Sequence, residues 1–218
     1  MGMDDEPIIT MRAERVALGP LRHDLVPQTT RWINDLATAR GLGPIRGPIT
    51  HEAELAWFER AIADDAATHF TIYVRASRAT GELVYDPPTS EDDYPEPTWL
   101  PIGTTALNDI NWRNRTAEFG IMIGARSARG RGHGTETTRL MLDYAFTALG
   151  LHNVMLRVHE YNPAGAAAYW KAGFREFGRR REAQWMGGRF WDTIYMECFA
   201  SEFTSPYLAP IFAPDLPR

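Results

Sequence analysis

Cysteine is almost missing from this chain: Cys198 is the only one in 218 residues, so no internal disulfide can form and a reducing compartment suits the sequence. Lysine is equally scarce, and of 23 basic residues all but Lys171 are arginine. Either genomic base composition or selection for bidentate anion contacts accounts for that bias, and composition does not separate the two. No run of about 18 apolar residues occurs, which argues against a membrane-spanning helix. The opening stretch, MGMDDEPIIT, has neither a basic segment nor an apolar one, so no secretory signal is expected and the expected location is the cytoplasm. The net charge of −5 gives no general basic excess, which argues against a nucleic-acid binder.

Several catalytic signatures are also missing. GxxxxGK[ST], GxGxxG, GxSxG and HExxH do not occur, which weakens nucleotide hydrolysis, hydride transfer, a serine-hydrolase elbow and a zinc protease in turn. The six histidines are scattered, and His152 and His159, seven apart, should face opposite sides of a strand. No metal is expected.

What is present reads as a mixed α/β chain. A first strand is predicted at 15–22, then a helix at 24–40 with Leu25, Trp32, Ile33 and Leu36 towards the core. Thr50 is a natural N-cap for a second helix at 51–66, with Leu55, Phe58 and Ile62 on one face. A strand at 69–76 precedes residues 77–98, whose four prolines and six acidic residues make a long connection, with ELVY a candidate short strand. That acidic loop is either simply solvated or a wall attracting a cationic amine. Strands at 100–110 and 116–124 follow, joined by the turn NWRNR, then a helix at 134–149 and a strand at 153–160. Gly173 should close the next helix, and MGG should turn a hairpin. The tail from 201 is proline-rich, yet Phe203, Tyr207, Leu208, Ile211 and Phe212 suggest that it packs on its own domain or on a partner.

The segment with most chemical content is SARGRGHG, set between a strand and a helix. Backbone N–H groups in a helix's first turn lack intrahelical acceptors and carry positive potential. Glycines at 130, 132 and 134 would let a phosphate reach them, with Arg129 and Arg131 as counter-charges. A tight turn with no ligand is the plainer alternative.

Arg129-x-x-Gly132-x-Gly134 resembles the acetyl-CoA signature of the GNAT N-acetyltransferase superfamily. RGRGHGTETTRLMLDYAF with LRVHEYNPAGAAAYWKAGF looks most like its RimJ/RimL-like branch, which acetylates ribosomal-protein N-termini. The strong similarity covers about 100–199. It implies one GNAT domain over 1–200, with residues 201–218 an extension. Its fold would be a mixed, mostly antiparallel sheet of about seven strands, splayed between the fourth and fifth and flanked by about four helices.

The resemblance also implies roles. Backbone groups of Arg129, Gly130, Arg131, Gly132, His133, Gly134 and Thr135 would hold the pyrophosphate of acetyl-CoA. Ile121, Met122 and Ile123 would pair with the pantetheine arm, and Asn162 would hydrogen-bond it; Asn162 before Pro163 is equally a helix N-cap. Tyr169, two helical turns on, would protonate the departing thiolate, or is a core aromatic. Glu118 is the first candidate for the base and His159 the second; Glu118 is otherwise a cross-strand partner of Arg113 or Arg115. PAGAAA carries neither the serine nor the arginine frequent in the family, leaving contacts to the adenine or 3′-phosphate open. The expected activity is direct acetyl transfer in a ternary complex to a protein N-terminus or a small cationic amine. A non-catalytic acyl-CoA sensor and an antibiotic-type acetyltransferase are the alternatives, and a homodimer is compatible with the tail.

Overall fold

The computed structural model describes residues 6–43, 47–76 and 98–215. The acidic connection expected at 77–98, with its ELVY segment, therefore lies outside the described residues apart from Thr98. Among the described residues, eight strands form one sheet in the order β1-β2-β3-β4-β5-β6-β8-β7. They are β1 (Met11–Arg12), β2 (Val16–Pro20), β3 (Thr68–Ala76), β4 (Thr98–Asn111), β5 (Thr116–Ile123), β6 (Asn153–His159), β7 (Arg175–Met186) and β8 (Arg189–Phe199). The expected count of about seven misses β1, which is two residues long and has no periodicity to read.

Every neighbouring pair is antiparallel except β5–β6, which are joined by the one crossover that returns a strand beside its predecessor. Gly187 and Gly188 turn the β7–β8 hairpin with φ of 61° and 84°, the left-handed geometry that matches a two-residue loop to strand twist.

The expected helix at 24–40 is two helices. α1 (Val26–Asn34) stops at Asp35, whose extended backbone (ψ 111°) restarts the chain as α2 (Leu36–Ala39). The Asp35 carboxylate holds this corner, accepting from the Thr38 hydroxyl and from Arg126. The break turns Leu36 outward, 65% exposed, and the buried positions are Val26, Thr29 and Thr38. In α3 (His51–Ile62) Thr50 caps as expected, accepting from Ala53 N at 3.2 Å. Its buried face is Glu54, Phe58 and Ala61, while Ile62 is exposed. Burial raises the pKa of Glu54, against a hydrogen bond from Thr29 that lowers it.

On the other face, α4 (His133–Asp143) and α5 (Pro163–Ala172) cover the core built around Leu140, Leu142, Leu156 and Phe174. A π-turn over Tyr144–Ala148 continues α4. The tail packs on this chain. Phe203 meets Phe146 ring to ring at 5.5 Å, and buried Asp143 accepts from the backbone N–H groups of Tyr207 and Leu208 at 2.8 and 2.9 Å. Ile211 and Phe212 stay exposed.

Candidate active site

β5 and β6 share three rungs, Thr116↔Asn153, Ala117↔Val154 and Glu118↔Met155, and then separate. Ile121, Met122 and Ile123 stay paired to β4 on one side and lose β6 on the other. The fourth-to-fifth splay expected of the longer strands is thus present. A cleft of about 630 Å³ opens along this edge, bounded by α2, the glycine loop and α5.

The glycine loop forms one end of the cleft. Gly130 and Gly132 have φ of 71° and 86°, conformations costly for other residues, and Gly132 is the N-cap of α4. A methyl group at Gly130 or Gly134 would meet nothing within 4 Å, so the space over this helix start is open. At Gly132 it would come to 3.0 Å from the Arg15 guanidinium. His133 faces inward: it is 2% exposed with Nδ1 3.1 Å from Ala128 O, and burial lowers its pKa. It holds the loop with its ring as well as its backbone, where the sequence suggested backbone alone. Thr135 lines the cleft one turn above.

One arginine of the loop, Arg129, differs from the expected counter-charge. Arg129 points into the fold, donating to Ile123 O (2.9 Å), Gly124 O (3.1 Å) and Thr38 Oγ1. It therefore ties the end of β5 to α2. Arg131 donates through Nε to Ser127 O at 2.8 Å. Above the loop lies Arg15, 116 residues away in sequence, whose Nη1 donates to Arg131 O and whose Nε pairs with Glu136 at 2.8 Å.

Along α5, Asn162 caps the helix, with Oδ1 accepting from Gly165 N at 3.0 Å. A side chain at 165 would collide with this amide at 2.6 Å, which accounts for a glycine inside PAGAAA. Asn162 also lines the cleft. Tyr169 packs edge-on against Phe119 and Phe174 at 6.1 and 6.3 Å, and lines the cleft. Burial pushes its pKa up to about 12.

Glu118 sits on the last shared rung, and its Oε1 accepts from Arg157 Nε on β6 at 2.7 Å. The sequence offered Arg113 or Arg115 as its partner; the parallel crossover supplies Arg157 instead. His159 lies four residues past that rung, stacked on Tyr161 at 5.0 Å, with Nδ1 buried and unpartnered among the described residues. Burial first, then the Arg157 charge, lowers its pKa.

Sequence reading missed Arg15, Thr38, Arg40 and Tyr161. Tyr161 Oη donates to Arg40 O at 2.9 Å, and both residues line the cleft. Arg15, Thr38 and Arg40 reach the site from distant elements, and Tyr161, although next to Asn162, shows its role only through its contact with Arg40.

Residues 15–175 match the family model described as an acetyltransferase (GNAT) domain. A spermidine N(1)-acetyltransferase of Vibrio cholerae is 36% identical over 102 residues, 47% of this chain and 58% of that one. The Escherichia coli K12 spermidine N(1)-acetyltransferase is 31% identical over 108 residues, 50% of this chain and 58% of its own. The chain thus spans a little over half the length of the curated relatives it matches. In fold, it superposes on a V. cholerae spermidine N-acetyltransferase in complex with CoA and spermine with a TM-score of 0.70, at 24% identity, covering 87% of this chain and 98% of that one. These relatives do not support the narrower resemblance to the RimJ/RimL-like branch. The chain belongs to the GNAT acetyltransferase family.

Proposed function

Starting from that membership, we propose that this protein is an acetyl-CoA-dependent N-acetyltransferase acting on a small cationic amine of the polyamine type. One observation carries the reading: a stretch of β5 unpaired on its β6 side lines the same cleft as an open, glycine-lined helix start and Tyr169. The two relatives named as spermidine N(1)-acetyltransferases favour a polyamine over a protein N-terminus.

The residues fit the cosubstrate. A pyrophosphate suits the N–H groups of 130–134, and an amide-bearing arm suits the free side of Ile121–Ile123 and Asn162 Nδ2. Acetyl-CoA supplies a thioester carbon open to attack. The amine nitrogen forms the new C–N bond as the C–S bond breaks; nitrogen gives up one proton and sulfur takes one. A backbone N–H of β5 would meet the charge developing on the carbonyl oxygen.

Tyr169, on the cleft wall, would meet the departing sulfur as a protonated phenol. With its pKa at about 12, full transfer to a sulfur in the ordinary thiol range of about 8.5 is uphill, so its main contribution is a hydrogen bond to the departing sulfur. For the amine proton we favour His159 over Glu118. Glu118 has its Oε1 taken up by Arg157 at 2.7 Å, whereas the lowered pKa of His159 keeps its imidazole neutral near pH 7. Cys198 is buried with its thiol pushed up to about 11, unsuited to carrying the acetyl group. The homodimer remains part of the proposal.

A thiol-release assay with acetyl-CoA tests the function. Turnover with spermidine above that with a peptide bearing a free N-terminus is expected. The reverse order would reassign the acceptor, and tight binding of acetyl-CoA without turnover on any amine would leave a sensor.

A further inference from the structure

Six buried side-chain nitrogen and oxygen atoms have no hydrogen-bond partner among the described residues. Two of them, His159 Nδ1 and Thr193 Oγ1, stand on one rung of the sheet, where β6 and β8 run antiparallel. Buried polar atoms are nearly always satisfied, so two that face each other across one rung ask for a common cause.

The rung is of the closer kind. On the next one, Glu160 N donates to Asp192 O at 3.0 Å, which makes 160 and 192 a hydrogen-bonded pair of the ladder. His159↔Thr193 is therefore a non-hydrogen-bonded pair, whose Cβ atoms approach to about 4.5–5.5 Å on one face. That gap is short enough for a threonine hydroxyl to reach an imidazole nitrogen.

The other neighbours hold the ring or are already engaged. Tyr161 stacks on it at 5.0 Å and is itself pinned to Arg40 O, and Trp191 meets Tyr161 edge-on at 5.9 Å. Trp191 Nε1 donates to Met186 O at 3.0 Å. Arg157, on the same face of β6 as His159, donates to Glu118 Oε1. Glu160 accepts from Asp192 N, Asp192 accepts from Glu182 N, and Arg179 lies 3.8 and 4.0 Å from the two carboxylates. Thr193, 4% exposed, is left opposite His159 with its hydroxyl uncommitted among the described residues.

We infer that Thr193 is a positioning residue for the transfer: its hydroxyl accepts from Nδ1–H of His159 and leaves the Nε2 lone pair to take the proton of the amine. The inference rests on the base role given to His159 above. A neutral imidazole carries one N–H and one lone pair, and the partner of one nitrogen decides which is which. The same contact serves after the transfer, because the imidazolium keeps an acceptor for Nδ1–H. The proton passes from the amine nitrogen to Nε2, and Thr193 neither gains nor loses one.

Nitrogen-15 NMR of the histidine rings in the full chain, without ligand, reads the tautomer, and His159→Asn identifies the signal. The His159 proton is expected on Nδ1 in wild type and partly on Nε2 in Thr193→Val. The same variant should lower kcat about tenfold, the size of one lost hydrogen bond, with KM for acetyl-CoA and spermidine little changed. Its acid limb should move to lower pH, because the imidazolium has lost an acceptor. Thr193→Ser, which keeps the hydroxyl, should restore both. A proton on Nε2 in wild type overturns this inference alone, and needs no variant to fold. An unchanged kcat in folded Thr193→Val does the same. If His159→Asn keeps both its rate and its acid limb, the base role falls and this inference falls with it.

Discussion

Arg129 and Thr38 are joined, guanidinium to hydroxyl, across one side of the cleft, while the same guanidinium holds Ile123 O and Gly124 O. A residue at the head of a phosphate-binding motif thus works as a brace between β5 and α2. Arg129→Met should lose about 1–3 kcal/mol of stability, since three partly buried acceptors lose their donor. It should also raise KM for acetyl-CoA by loosening the end of β5. Urea denaturation and initial rates check the two effects; an unchanged midpoint would show that the brace is idle.

Gly134 separates folding from binding. Its added methyl meets nothing within 4 Å and its backbone is helical, so Gly134→Ala should leave Tm unchanged or raise it. The same methyl projects into the space assigned to the pyrophosphate, and coenzyme A affinity should fall about tenfold or more. Full affinity with normal stability would mean that the ligand does not sit over this helix start.

Tyr169→Phe keeps the ring contacts with Phe119 and Phe174 and deletes the hydroxyl. We expect kcat to fall about 10²-fold with KM for acetyl-CoA little changed. A wild-type kcat in this variant removes the hydroxyl from the reaction.

The pH dependence has a definite sign. His159 must be neutral to accept a proton, so activity should decline on the acid side, with a midpoint below the ordinary histidine value of about 6.5. His159→Asn should abolish that limb, whereas Glu118→Gln should retain it. The opposite pattern returns the role to Glu118.

Stability should move the same way. His69, His133 and His159 all have pKa values lowered by burial, so the folded chain binds fewer protons than the unfolded one. Their contribution is complete above about pH 6.5 and is lost as the pH falls towards the lower folded values. Glu54, raised by burial, opposes this. Three groups against one predict a lower urea midpoint at pH 5.5 than at pH 7.5; a higher midpoint at pH 5.5 would contradict the histidine shifts.

Much of this architecture was legible because it is local. A glycine cluster between a strand and a helix, Thr50 before an amphipathic run, and Gly-Gly between two strands each carry their own conformational reason. Side-chain direction was less legible. The periodicity of 24–40 gave no warning of the corner at Asp35, because Arg126, 91 residues away, helps to hold it. Arg129 was read as facing a phosphate because α2, which takes its side chain, lies in a segment with no signature. Glu118 found Arg157 because a parallel crossover, and no sequence spacing, sets β6 beside it.

The parting of β5 from β6 gives the sheet two edges in its middle. Exposed strand edges invite pairing with any extended chain, and proteins generally blunt or cover them. Here the unmatched edge of β5 lies beneath α2, under the clasp of Thr38 with Arg129 and of Arg40 with Tyr161. The same shelter that admits a slender, amide-bearing arm therefore screens the interior edge from other molecules, and loosening it would leave the protein prone to sticking to itself through the centre of its own sheet.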